Sequence, residues 1–148
     1  MSLKTTLRKF IGGLRELKVV VQPCSGFGKV YGVVAREAVR ILAEKLRPGR
    51  VTYICLPRLV CEDEEARKLI KENPCITVDG CASRCARELV DEAGGKLLMS
   101  LSVVEVLREN RRLKPNPHSL ISLDDKGCKL AEKVAEKLAL EVDRILGV

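Results

Sequence analysis

Tryptophan is absent from this chain, histidine occurs once (His118), and phenylalanine and tyrosine number two each. So few rings leave no base-stacking platform of the kind that single-stranded nucleic-acid binders use. Asparagine and glutamine are also scarce, with only Gln22, Asn73, Asn110 and Asn116, while Lys, Arg and Glu abound. That profile is the one expected of a thermophile, in which labile side chains are kept low. No apolar run approaches the roughly 18 residues that a membrane-spanning helix needs. The basic stretch 4–14 has neither a continuous apolar core nor a small-residue cleavage site, so it does not read as a signal peptide. A cytoplasmic location and no membrane partner are therefore expected.

Against these shortages stand seven cysteines. A reducing compartment favours free thiols over a disulfide framework, although thermophile cytosol is where the exceptions occur. The remaining composition is ordinary for a globular protein: 46% hydrophobic and 32% charged residues in 148. One domain over 1–148 is the simplest division, able to bury roughly 68–70% of its unfolded surface. The net charge of +7 is uneven. Residues 1–50 carry 11 basic and 3 acidic side chains, and the rest of the chain is close to balanced. A basic leading third can favour polyanions, but a solvated surface explains it more simply, and neither 4–15 nor 108–114 holds a nucleic-acid-binding motif.

Along the chain, residues 5–16 suggest a short amphipathic helix in a basic N-terminal extension (1–17). The β-branched run at 18–22 reads as a first strand ended by Pro23. A glycine turn at 25–28 leads into a long helix to about residue 46, with Val30, Val34, Ala38, Ile41 and Leu42 as its buried stripe. The alternation then repeats: strand 51–56, helix 62–71, strand 75–78, helix 82–93, strand 96–103 and a short helix at 104–110. A basic connector with His118, expected to be exposed, reaches a last helix at 125–146. Ser122 and Asp125 fit its capping box, and Leu130, Val134, Leu138, Val142 and Ile145 form its stripe. This alternation predicts a three-layer, Rossmann-like α/β fold: a parallel sheet of about four strands with helices on both faces.

Such a sheet gathers function at the carboxyl ends of its strands. Cys24 follows strand one, Cys55 lies near the end of strand two, and Cys81 follows strand three. Cys85 comes one helical turn later. The i, i+4 spacing of Cys81 and Cys85 predicts two side chains on one helix face, with Cβ atoms ~5–6 Å apart. Sulfurs at that separation can share a tetrahedral zinc. Cys61 is a reserve for one of the four. Cys75 belongs to the opposite edge, and Cys128 has no fixed relation to the others. Any one of these residues could equally be a small buried hydrophobe, Cys85 included.

Three segments carry a resemblance: Pro23-Cys24-Ser25-Gly26-Phe27-Gly28-Lys29, then Cys55-Leu56-Pro57, then Val78-Asp79-Gly80-Cys81-Ala82-Ser83-Arg84-Cys85-Ala86. Together they resemble the DGC-domain family, named for a central Asp-Gly-Cys, over residues 18–110. The resemblance implies a zinc site whose four cysteines carry over to Cys24, Cys55, Cys81 and Cys85. It implies no substrate, because the family's activity is undefined.

Within the motif, Gly80 reads as a place where a Cβ would obstruct a close approach, and Asp79 as a cap for the following helix. Zn²⁺ is the expected cofactor, with an Fe–S cluster as the all-thiolate alternative. Two enzyme readings compete. Cys81 to Arg87 satisfies C-x5-R, the spacing of thiol phosphatases and arsenate reductases, but residues from Ala82 look helical rather than phosphate-cradling. A thiol redox pair of Cys81 with Cys85 or Cys24 is the other, although C-x-x-C is the usual spacing. A protein partner or a second copy stays open.

Overall fold

The computed structural model describes residues 16–24 and 26–148. The helix read at 5–16 falls almost wholly outside them. The elements in chain order are β1 (Val19–Pro23), α1 (Val30–Ile41, continued by a π-helical turn Leu42–Leu46), β2 (Val51–Thr52), α2 (Pro57–Val60) and α3 (Glu64–Glu72). There follow β3 (Pro74–Asp79), α4 (Cys85–Glu92), β4 (Lys96–Ser102), α5 (Val103–Glu109), a 3₁₀ turn at Arg111–Leu113 and α6 (Asp125–Leu146).

The four strands are all parallel, in the order β2-β1-β3-β4. The expected three-layer α/β architecture is present. Pleating explains the two cores, because successive residues of β1 face opposite ways. Val19 and Val21 pack with α1, α5 and α6, whereas Val20 packs with α2, α3 and α4. The order reverses between β1 and β3. In open parallel sheets that reversal is where the two loops diverge and leave a crevice beyond the carboxyl ends.

Helix α6 covers the first core, and its bounds match the sequence reading. Leu130, Val134, Leu138 and Val142 are buried, as expected from their spacing. Its cap differs. Asp124, not the Ser122–Asp125 pair, caps the helix, accepting from the Gly127 amide at 2.8 Å. Among the described residues no helix is long and apolar enough to cross a membrane.

Two strands depart from expectation. β2 ends at Thr52 instead of residue 56, so Cys55 lies in the loop beyond it, and a short unforeseen helix (α2) follows. In β4 a bulge sets Cys75 opposite Leu97 and Ile76 opposite Met99, leaving Leu98 as the extra residue. Leu98 is 59% exposed, and a bulge on an edge strand discourages pairing with other chains.

Cys75, the second residue of β3, lies at the amino edge, fully buried, with its sulfur 3.3 Å from the carbonyl of Ile70. Burial pushes its thiol up to about 11 from the usual 9.0. The folded state therefore holds a proton that the unfolded chain gives up first. Below the ordinary thiol range this costs nothing, and between about 9 and 11 folding stability falls as pH rises. Urea titrations of wild type and Cys75→Ala should diverge across that window by up to about 2.7 kcal/mol, wild type losing more. Parallel pH profiles would refute it.

Candidate thiol and metal site

Three glycines let the loops at the reversal point touch. The Cys24 amide donates to the Val78 carbonyl at 2.9 Å, locking the end of β1 to β3. A Cβ on Gly80 would stand 2.6 Å from the Gly32 nitrogen, and a Cβ on Gly32 would stand 2.3 Å from the Gly26 Cα. The loop after β1, the loop after β3 and the first turn of α1 thus meet backbone to backbone. The close approach read at Gly80 is present.

Helix α4 starts at Cys85, three residues later than its apolar pattern suggests. Residues Cys81 to Arg84 form a turn, and Arg84 takes a left-handed φ of 48°. Asp79 is the reason. Its carboxylate, 1% exposed, accepts from the amides of Ala86 at 2.8 Å and Arg87 at 3.1 Å, so it caps α4 from the end of β3. The expected shared helix face for Cys81 and Cys85 is therefore absent, since Cys81 precedes the helix. Cys85 is exposed instead of lying in a buried stripe.

Even so, Cys24, Cys81 and Cys85 border one cleft of about 300 Å³, together with Lys29, Asp79 and Gly80. Cys55 does not. It borders a second cleft of about 710 Å³ on the β2 side, and Cys24 is the cysteine common to both. Cys61 is the exposed C-cap of α2 and lines neither cleft; Cys128 is exposed near the start of α6.

The thiols of the cleft differ in acidity. Cys81 lies below the usual thiol value because the Ser83 amide donates to its sulfur, reinforced by the Ser83 hydroxyl and Lys29. Cys24 is raised, chiefly by burial and further by the negative charges of Asp79, Cys81 and Cys85, although the Gly80 amide opposes this. Burial also raises Asp79, despite its two amide donors. The cleft thus sets a more acidic thiol, Cys81, beside a less acidic one, Cys24.

Gln22 was not singled out by its sequence context. It is 1% exposed, and its side-chain amide clamps Ile54 on both sides, accepting from its N–H at 3.1 Å and donating to its carbonyl at 2.9 Å. The signal was present: one of four carboxamides in the whole chain directly follows a run of three valines in a buried strand.

The donor chemistry fits a thiophilic cation, with three sulfurs on one cleft and N–H groups and a lysine to offset their charge. As the side chains lie, among the described residues no three His, Cys, Asp or Glu are grouped closely enough to hold an ion. Ligation therefore requires the cleft sulfurs to converge.

The family model for the DGC domain matches residues 20–137. No curated protein and no solved structure matches the chain. The match begins in β1, takes in both glycine loops and every cleft cysteine, and runs into α6, well past residue 110 where the resemblance was expected to end. With most of its length inside that match, and with Asp79-Gly80-Cys81 lining the smaller cleft, the chain belongs to the DGC-domain family.

Proposed function

We propose that this chain binds a thiophilic divalent metal ion, zinc foremost, through cysteines at the carboxyl edge of its sheet. The observation that carries the reading is that Cys24 from the end of β1, and Cys81 and Cys85 from the β3–α4 connection, border one cleft at the point where the strand order reverses. These three would hold the ion, and Cys55 completes the four-cysteine set read from the sequence. Bound zinc would supply Lewis acidity or simply a structural cross-link. The protein's part is to favour the thiolate form, and the Ser83 amide and Lys29 act in that direction at Cys81.

The phosphatase-like reading is weaker. The loop from Cys81 to Arg84 is indeed non-helical, but Arg87 lies outside the lining of the cleft, so the C-x5-R pair does not face one pocket.

Elemental analysis of the freshly reduced protein tests the proposal. Wild type should carry about one equivalent of zinc, and Cys24→Ser or Cys81→Ser should carry less than about a tenth. Substitutions at Cys75 and Cys128 should leave the metal content unchanged. Wild type with less than about a tenth of an equivalent of any transition metal, after incubation with zinc, overturns it.

A further inference from the structure

We infer that the larger cleft binds a small organic carboxylate with an apolar or aromatic body, and that Arg36 holds its carboxylate. The inference is independent of the metal-binding reading. At about 710 Å³ the cleft lies within the roughly 300–1,000 Å³ of small-molecule sites. It opens beside the carboxyl ends of β1 and β2, between α1 and the loop that leads into α2. Val39, Ile54, Leu56 and Pro57 supply apolar walls, and Tyr53, 50% exposed, adds a ring on which a planar group can stack. The walls are already fixed. The Gln22 carboxamide donates to the Pro23 carbonyl at 3.0 Å and holds Ile54 at both its N–H and its C=O. A site fixed in this way loses little freedom when a ligand enters.

Charge selects the ligand. Three arginines line the cleft, and two of them are matched within the protein. Arg40 holds Glu37 through two bonds, at 2.9 and 2.6 Å, and Glu44 through a third at 2.6 Å. Both acids of the cleft are thereby taken up. Arg58 is tied to Asp63 at 2.9 Å and to Glu65 at 3.4 Å. Arg36, exposed on α1, has no hydrogen bond or ion pair among the described residues. One unmatched guanidinium suits a monoanion, and its planar fork fits a carboxylate through two parallel N–H···O bonds. A cationic ligand would find no free acid on the cleft.

2-Naphthoate is the probe, with 2-naphthamide as its uncharged counterpart, each titrated into reduced full-length protein and followed by amide NMR shifts. Naphthoate should saturate, move the Arg36, Tyr53 and Ile54 amides, and bind about fivefold or more tightly than naphthamide. Arg36→Gln should abolish that preference by weakening naphthoate while leaving naphthamide within about twofold. Because Arg36 bonds to no other side chain, this variant should melt with wild type. Tyr53→Ala should weaken both probes alike. Arg112→Gln removes the same charge from a position outside both clefts and should change neither.

Equal binding of the two probes, or no saturation, overturns the inference. So does a naphthoate preference that survives Arg36→Gln, the result expected if metal on the cysteines held the carboxylate. An equal loss in Arg112→Gln also overturns it, since general attraction to a basic chain would then suffice.

Discussion

Gly80→Ala is expected to cost about 3 kcal/mol or more of folding stability, a large share of the ~5–15 kcal/mol typical of a domain. The added methyl would lie 2.6 Å from the Gly32 nitrogen and 2.7 Å from the Tyr31 carbonyl carbon. Both are backbone atoms of α1, so no flexible side chain can move aside, and either the helix or the β3 loop must shift. The cost is steric alone, because Gly80 is not among the positive-φ glycines. Gly49 supplies the contrast. It has a φ of 76° but nothing within 4 Å of the point where a methyl would stand, so alanine there bears only conformational strain, about 1 kcal/mol. Urea denaturation of both variants compares them. Equal losses would show that the glycine contact does not hold the two loops together.

Asp79→Ala should be at least as damaging, by about 4 kcal/mol. It strips two α4 amides, those of Ala86 and Arg87, of their acceptor in a place that water does not reach easily. Leaving a buried donor unpaired costs about 1–3 kcal/mol, and here there are two. Asp79→Asn should fall between wild type and alanine, since one carboxamide oxygen accepts while the NH₂ opposes a second donor. Loss of the cap also frees the start of α4, and Cys85 with it. Thermal and urea unfolding give the energies, and amide exchange at Ala86 and Arg87 reports the cap. Unchanged protection at those amides in Asp79→Ala would refute the assignment.

The sheet and α6 were legible because each repeats a simple spacing. β-branched runs such as Val19-Val20-Val21 have few alternatives to a buried strand, and α6 keeps an apolar residue every three or four positions along 22 residues. Asp79 was legible as the cap of α4, but the helix start was not, because its apolar spacing extends back to Ala82 and hides the turn from Cys81 to Arg84. The length of β2 was hidden as well. Ile54 leaves the ladder to satisfy the amide of Gln22, which is 32 residues away in sequence.

The cysteines divide along the same line. Sequence alone determined that several would collect at the carboxyl edge and that Cys75 would not, because strand direction in a parallel sheet follows from the order of strands and helices. Only the tertiary structure decided which of them share a cleft. That depends on three glycine backbones in contact, a carboxylate reaching across a turn and a carboxamide clamping a loop. Each is set by distances between segments remote in the chain, which no local spacing records. Cys24, Cys81 and Cys85 meet on those terms, and Cys55 faces the neighbouring cleft.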